Sequence, residues 1–522
     1  MNRKIKTDMG KIDRYLIYVL FLCAAVAGKA QDNEKINSPA GFEFMKKGEL
    51  WRQSSNAAGL WLDNPAEYTE LAAGYKVSSG NFHRPQQGKR ENDLVFSAEG
   101  AVRLKKYYLW GKFDYSRDAT KEAVYNASII DPYRDMPYYV ADTNPSNWNK
   151  QHYTLQFKAA TPAFGPVSFG VEGTYKASIG SKQRDIRVDS RFYTIEVKPG
   201  IVYTIDRNNH IGANFQYYNT KEHSGMSNVN VYVDQDYYEM YGLGSARKGL
   251  GWGRSTSYNG NGLGGGLQYY HNGAVRILLS ANYLKRVEDV QVDGSSPRDD
   301  GTVREETWTS KIALFRKGEK YAHSLNIQYL HKKMDGIEYV TLLNDSTGWE
   351  SLRSDIASQY STRRLSADYT LFSNRNQEYD WYAGVDIMYE KEEDEYLLPR
   401  STWGYENMRF GISGKKNFAL SGHLMKRLLI GADLHYNKNL SGSYRYNGPH
   451  PDYIVVTDFQ QTDLNSLSCD FYSYGLSAVY SQKLNRQSEA TVFAKATFRQ
   501  NRTNDFHFSN RNYLQISLGC NF

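Results

Sequence analysis

Few residues of this 522-residue chain have the types and the spacing that catalysis requires. Asp433 and His435 lie two residues apart, so on a β-strand both side chains point to the same side and form a candidate acid–base pair. Gly260 to Gly265 (GNGLGG) match the spacing of a dinucleotide loop but lead into a predicted strand, whereas the loop requires a helix. The sequence contains no HExxH, no CxxC pair and no GxSxG. We therefore predict no catalytic residue, no metal site and no cofactor.

Charged residues recur at alternate positions between apolar ones, and this pattern places them on strands. In LVFSAEGAVRL (94–104) and YYLWGKFDYS (107–116), apolar residues occupy one face and charged residues the other. A charge at mid-strand facing lipid costs a few kcal/mol, so such residues are predicted to face inward if the strands cross a bilayer. Both signs occur, which argues against strong ion selectivity; the alternative is that these charges pair and only hold the interior together. The candidate lumen residues are Glu99, Arg103, Lys112, Asp114, Arg276, Arg364, Asp386 and Arg409.

The alternating pattern repeats along almost the whole chain. We count eighteen segments, each near the length that a tilted strand needs to cross a membrane, with sixteen as the alternative. The predicted fold class is all-β, a transmembrane antiparallel β-barrel. The predicted strands are 69–77, 94–104, 107–116, 152–160, 167–177, 192–204, 210–220, 262–271, 275–284, 306–315, 321–331, 364–372, 379–389, 407–415, 427–436, 470–480, 489–498 and 513–522.

The connections between these strands alternate between short and long, as in outer-membrane barrels. The long ones are predicted at 81–92, 119–150, 178–191, 221–260, 288–303, 333–360, 391–405, 438–468 and 499–511. With an even number of strands, both termini lie at the end of the short turns, which is the periplasmic side in such barrels. We therefore predict that loops 119–150, 221–260 and 438–468 face the cell exterior.

The first thirty residues have the three parts of a secretory signal peptide. A basic stretch precedes the apolar run 15–27, and small residues precede a cleavage site before Gln31. The formal charge of the whole chain is +7; removing six basic and two acidic residues with the signal peptide leaves +3. This near neutrality implies no polyanionic partner, and nucleic acid in particular is not expected.

The last strand, YLQISLGCNF, ends on an aromatic residue at Phe522. It resembles the C-terminal signature of bacterial outer-membrane barrels, and the whole chain resembles the single-chain barrels of Bacteroidota. The resemblance implies residence in the cell outer membrane, contact with its lipid, and recognition by the barrel-assembly machinery. The residues that carry this assembly signal are Leu514, Ile516, Leu518 and Phe522.

Residues 31–66 precede the barrel, which is predicted at 67–522. They contain aromatic residues, including Trp51 and Trp61, that a free polar tail could not bury. SSNAAGL and DNPAEY within them resemble the N-terminal hatch of fatty-acid-transporter-type barrels. We predict a short plug or hatch inside the barrel; the alternative is a periplasmic tail packed beneath it.

Two long predicted loops, 119–150 and 221–260, are rich in Tyr and Trp. Such rings could stack on sugars or form a protein interface, or the loops could fold inward and cap the barrel mouth. The candidate binding residues are Tyr133, Tyr138, Tyr139, Trp148, Tyr237, Tyr238 and Trp252.

We predict an outer-membrane channel or transporter for small solutes or amphiphiles. The alternative is a surface-docking barrel with a closed lumen that binds a partner protein or glycan through its long extracellular loops. The expected partners beyond lipid and the assembly machinery are a surface lipoprotein, a glycan or a small-molecule substrate. A hydrolase sited at the barrel rim is disfavoured by the missing catalytic motifs. An energy-coupled transporter is disfavoured too, because that class has about 22 strands and a folded plug domain.

Overall fold

A computed structural model describes residues 38–522 except 231, 234, 251–252, 294–295, 347, 421–424 and 486–489. The predicted signal peptide and Trp252 lie outside the described residues. Eighteen strands form a single antiparallel sheet that closes on itself, which confirms the predicted fold class and strand number. Within the described residues, no α-helix combines the length and hydropathy that crossing a bilayer would require.

The barrel strands follow one another around the ring in chain order. They are β1 Tyr68–Gly80, β2 Arg90–Leu104, β3 Tyr107–Ala123, β5 Ser146–Ala160, β6 Val167–Lys182, β7 Arg187–Thr204, β8 Asn209–Ser227, β11 Ser255–Asn272, β12 Arg276–Asp293, β13 Arg298–Lys317, β14 Tyr321–Asn344, β15 Gly348–Arg375, β16 Glu378–Tyr396, β17 Ser401–Ala419, β18 Arg427–Arg445, β19 Phe471–Lys483, β20 Thr491–Thr503 and β21 Asn510–Asn521. The labels β4 Tyr139–Asp142, β9 Asp236–Gly242 and β10 Ser245–Leu250 belong to a separate three-stranded sheet.

The ring closes between the first and last strands. Leu71 pairs with Cys520, and the register continues to Gly80 opposite Arg511. At the terminus, the Phe522 backbone N–H donates to the Thr69 carbonyl oxygen at 2.9 Å. Closure leaves no unpaired sheet edge, which lipid could not hydrate.

The outer face of the barrel is apolar and bounded by aromatic rings. On β16, Trp381 and Tyr389 lie eight residue steps apart with Val385 and Ile387 between them on the same face. At about 3.3 Å per residue and a tilt of about 40°, this distance is about 20 Å across a membrane. Ring contacts occur at both margins: Tyr283–Trp308 and Tyr436–Tyr472 at one, and Tyr321–Trp381 at the other. Aromatic girdles on either side of an apolar band define a membrane-spanning wall.

The barrel has two different ends. Both termini of the barrel and eight turns, such as Lys105–Lys106, lie at what we call the short-turn end. The opposite, loop end carries the nine other connections. The connection between β1 and β2 holds a 3-10 turn, Pro85–Gln87. Three longer connections, 124–145, 228–254 and 446–470, hold further strands or helices, and we call them the inserted loops. They contain β4, β9, β10, a π-helical turn Val455–Gln460 and the helix Gln461–Leu467.

Four predicted long loops are largely strand, and that part of the prediction is wrong. The segments 178–191, 288–303, 333–360 and 391–405 are tight hairpins in which both strands continue well beyond the aromatic girdle. Beyond the membrane, both faces of a strand meet polar surroundings, so the apolar alternation that marks a spanning strand disappears while the hydrogen-bond ladder continues. The β14–β15 hairpin extends furthest, to a turn between Asn344 and Gly348.

Candidate functional site

The N-terminal segment, residues 38–66, lies inside the short-turn end of the barrel. It forms a helix, α1 Pro39–Gly48, a 3-10 turn Ala57–Gly59 and a short helix, α2 Leu60–Asp63. Ser38 caps α1 by accepting from the Gly41 N–H, and Pro39 occupies its first turn. Trp51 is fully buried, with its ring 5.7 Å from that of Tyr270 on β11.

The helix α1 contributes a second set of aromatic contacts with the wall. Phe44 lies 5.9 Å from Phe315 and 5.3 Å from Phe372 between ring centroids. Together with Trp51 these residues form the largest buried cluster of the described chain. The segment therefore occupies the barrel interior, as expected of a plug.

Asn56 attaches this segment to the wall by hydrogen bonds. Its Nδ2 donates to the carbonyl oxygens of Ile201 and Ala213 at 3.1 Å each and to Gln268 Oε1 at 2.8 Å, and its Oδ1 accepts from the Ala58 N–H. Gly200 has no side chain, and this leaves room for the Asn56 amide against the wall. A methyl group on Gly200 would lie 2.2 Å from Asn56 Oδ1. Only glycine permits this approach of the amide to the strands.

Ion pairs make a third set of contacts between the segment and the wall. Glu99 on β2 accepts from Lys46 at 3.0 Å and from Arg52 at 2.8 Å. Lys47 pairs with Asp368 at 3.2 Å. In one further pair the acid belongs to the segment and the base to the wall: Glu43 of α1 accepts from Lys415 on β17 at 2.6 Å. Cavities of about 450 and 490 Å³ remain beside α1, so the lumen is not filled by it.

Two carboxyl groups of the N-terminal segment have altered acidity. Burial raises the pKa of Glu49 to about 8, although the Arg52 guanidinium lies 2.9 Å away. Burial also raises the pKa of Asp63 to about 6, despite hydrogen bonds from backbone N–H groups that include that of Arg52. Both groups therefore take up a proton more readily in the docked segment than in water.

The structure places the predicted lumen residues on the inner face of the barrel. Glu99 is held by the N-terminal segment, Arg103 donates to Asn64 Oδ1 at 2.5 Å, and Arg276 lies over the Phe315 ring. The others lie further along the lumen: Lys112 pairs with Asp114 at 2.8 Å, Arg364 pairs with Glu390, and Asp386 contacts His435. Arg103, Arg276 and Arg409 form no ion pair within 4.0 Å in the described part of the chain, and the Arg409 Nε also lacks a hydrogen-bond partner there. Their role in permeation stays a prediction.

The Asp433–His435 pair does not have the geometry of a catalytic pair. His435 Nδ1 lies 3.3 Å from Asp433 and Nε2 lies 3.3 Å from Asp386, so a carboxylate meets each ring nitrogen. Neither nitrogen is left to accept a proton from a nucleophile. The pair also lies inside the lumen and not at the rim. Among the described residues, no cluster of His, Cys, Asp or Glu has the arrangement of a metal site.

The inserted loops fold into the loop end of the barrel. Arg134 reaches Glu222 on β8 at 3.2 Å and Glu288 on β12 at 2.7 Å. Tyr125 stacks on Phe459 with centroids 4.7 Å apart, which joins the first inserted loop to the third. Of the two arrangements that the sequence left open, this structure adopts inward capping.

This arrangement buries most of the predicted loop-binding aromatic residues. Tyr138, Trp148, Tyr237 and Tyr238 are each less than a tenth exposed. Tyr133 lies beneath the Arg84 guanidinium, and Tyr139 on β4 is half-buried. These side chains pack the interior of the loop end and do not form an open binding face.

Sequence reasoning missed the residues that hold the inserts in place. Asn56, Lys46, Arg52 and Arg134 belong to no repeating pattern, and their partners lie up to 212 residues away in the chain. The only sequence signal was the pair of tryptophans, Trp51 and Trp61, which indicated that the N-terminal segment must pack against something but not where.

A closed, eighteen-stranded antiparallel ring with an apolar band, two aromatic girdles and a charged interior defines an outer-membrane β-barrel. The chain belongs to a family of unknown function, DUF6850, whose model matches residues 57–522. The comparison with curated proteins finds no match.

Three solved structures similar to this chain are a receptor and two transporters. The ferric preacinetobactin receptor BauA from Acinetobacter baumannii is 8% identical, with 88% of this chain and 80% of that chain covered and a TM-score of 0.40. The outer membrane transporter YddB from Escherichia coli is 8% identical over 87% and 81% of the two chains, with a TM-score of 0.39. The RagAB peptide transporter is 8% identical over 87% and 86%, with a TM-score of 0.39.

Proposed function

We propose that this outer-membrane barrel is a gated channel or transporter for small solutes or amphiphiles. The observation that carries the proposal is that inserts occupy both ends of a charged lumen and contribute no strand to the barrel sheet. The N-terminal segment can therefore move without breaking the wall. Its ion pairs with Glu99, Asp368 and Lys415 are contacts that water could replace.

The proposal assigns the ends of the barrel to the two sides of the membrane. The short-turn end faces the periplasm and the loop end faces the cell exterior, as expected for a chain delivered through the periplasm. Tyr232 in the second inserted loop is 94% exposed, so a cysteine placed there should react with an impermeant reagent on intact cells. Cysteine at Asn272, in a short turn, should react only after the outer membrane is opened. The reverse result would contradict the orientation.

Single-channel conductance in planar bilayers tests the gating. Removal of residues 32–60 should raise conductance severalfold while insertion stays normal, because it opens a water path beside Glu99 and Lys112. Removal of 32–37 alone is the matched control, since those residues precede Ser38, with which the contacts described above begin. Equal, large conductance in both variants would indicate an open pore with an idle N-terminal segment, and would contradict gating.

A second function, docking of a partner at the cell surface, is favoured by one observation. The β14–β15 hairpin rises beyond the aromatic girdle and exposes large apolar side chains to water. These are Val340, Leu342, Leu343, Trp349, Leu352 and Ile356. Isolated exposed apolar residues are common, but a group at one hairpin tip is typical of an interaction surface. No conductance in either deletion variant would favour this second function.

We further propose that the C-terminal residues act in assembly. Leu514, Ile516 and Leu518 face outward on β21, and Phe522 follows directly after this strand; the assembly machinery could bind these residues before β21 pairs with β1. The Phe522 ring lies at the short-turn margin of the apolar band, a favourable place for an aromatic side chain.

A further inference from the structure

A cavity of about 360 Å³ lies against the lumen wall formed by β17 to β21. Two arginines, Arg409 and Arg499, and the His435 imidazole line it, and none of its lining residues is a carboxylate. Ser473 and Asn501 add neutral hydrogen-bonding groups. The cavity therefore presents donors and positive charge in a lumen that elsewhere carries both signs.

The carboxylates near this cavity are already engaged. Asp433 accepts from Arg499 at 2.9 Å and lies 3.3 Å from His435 Nδ1, while Asp386 lies 3.3 Å from His435 Nε2. Glu390, the next acidic residue along β16, pairs with Arg364. Arg499 and Arg364 therefore have carboxylate partners within 4.0 Å, whereas Arg409 has none that close in the described part of the chain, although Glu390 and Asp386 attract it from further away.

Arg409 is held in position without an ion-pair partner within 4.0 Å in the described part of the chain. Its guanidinium lies over the Phe471 ring, 5.7 Å from the centroid, which fixes its direction. Its Nε is buried and has no hydrogen-bond partner in the described part of the chain. A half-buried guanidinium whose buried Nε–H has no partner favours an anion, because an unpaired buried donor is costly.

Two glycines in the wall allow the acids near this cavity to approach the strands closely. A methyl group at Gly411 would lie 2.3 Å from both Asp386 Oδ1 and His435 Cδ2. Any side chain at this position would therefore clash with these two residues. Gly475 has the same relation to Asp433 Oδ1, also at 2.3 Å. The two glycines therefore leave room for the side chains of Asp386, Asp433 and His435 beside the cavity.

We propose that this cavity binds the oxyanion group of a small organic solute, with Arg409 as the principal charged contact. Arg499, Ser473 and Asn501 supply further hydrogen bonds, and the Phe471 and Tyr513 rings border the apolar part of the solute. A sugar acid has this combination of one carboxylate and a ring. The inference deepens the proposed transport function and rests on it.

Calorimetric titration of the full chain in detergent micelles tests the inference, with D-glucuronate as the probe and D-glucose as its uncharged counterpart. Glucuronate should bind at least tenfold more tightly than glucose. Arg409→Gln should weaken glucuronate binding at least tenfold, whereas Arg409→Lys should retain part of it. Arg304→Gln is the matched control, because Arg304 pairs with Asp335 on the outer face of the barrel. Heat-modifiable gel migration verifies that each variant is folded.

Three results would overturn the inference. One is equal binding of glucuronate and glucose. Another is unchanged glucuronate binding in Arg409→Gln. The third is binding of inorganic sulfate without binding of glucuronate, which would assign the cavity to free ions. If deletion of 32–60 raises conductance while any of these results is found, the channel function stands and only the anion site is refuted.

Discussion

Asn56→Ala should release the N-terminal segment from the wall while leaving the barrel intact. The amide has two hydrogens that three acceptors share, and its oxygen accepts one further bond from Ala58. Each intramolecular hydrogen bond contributes about 1 kcal/mol net, so the loss of about three amounts to about 3 kcal/mol. At 1.4 kcal/mol per tenfold, the ratio of released to docked segment should rise about a hundredfold.

Hydrogen–deuterium exchange measures this ratio directly, because amides of the segment exchange when it leaves the wall. Peptides covering 50–63 should exchange about a hundredfold faster in Asn56→Ala, and peptides from the barrel strands should not change. Asn208→Ala, in an exposed short turn, is the matched control. Unchanged exchange across 50–63 would refute the view that this amide anchors the segment.

Further predictions concern acidity, the inserted loops and assembly. In the docked segment the pKa values of Glu49 (about 8) and Asp63 (about 6) lie above their ordinary values of 4.5 and 3.8. Docking should therefore be strongest at low pH and weaken as the pH rises from the ordinary to the docked pKa values. Hydrogen–deuterium exchange of 50–63, corrected for the intrinsic rate, should be slower at pH 5 than at pH 8. Arg134→Gln leaves two carboxylates unpaired and should destabilise the docked first inserted loop by about 3 kcal/mol, so chymotrypsin should cut this loop about a hundredfold faster. Arg191→Gln, at an exposed position, is the control and should have no effect. Equal cleavage rates of Arg134→Gln and the unmodified protein would exclude an anchoring role. Phe522→Ala should lower the amount of heat-modifiable barrel in the membrane severalfold without changing the conductance of assembled molecules; a normal yield would argue against the assembly signal.

The spanning part of the fold was predictable because lipid imposes a strict alternation. Leu94, Phe96 and Val102 had to face outward and Glu99 and Arg103 inward, so strand order and number followed from the sequence. The same physics gives no information outside the bilayer. Residues 333–360 contain long strands that the sequence does not distinguish from a loop, because neither face meets lipid.

The inserts were only partly predictable. The tryptophans of residues 31–66 indicated burial, but a plug and a tail packed beneath the barrel satisfy that requirement equally. The tyrosines of 119–150 suit either a recognition surface or a packed core, since the ring is apolar and the hydroxyl polar. Ion pairs such as Arg134 with Glu222 and Glu288 are side-chain contacts between distant segments, which no local spacing encodes.

The separation of wall and inserts has a consequence for how this molecule can evolve. The wall is a continuous hydrogen-bonded ring from β1 to β21, and the N-terminal segment adds no strand to it. Substitutions at 38–66 can therefore change the leak rate, the gating threshold or the selectivity of the pore without lowering the yield of inserted protein. Substitutions on the lipid-facing rows lower that yield without changing the pore. Relatives that share the barrel but admit different solutes should differ most at the residues of the segment that touch the wall, and least at the positions that the membrane constrains.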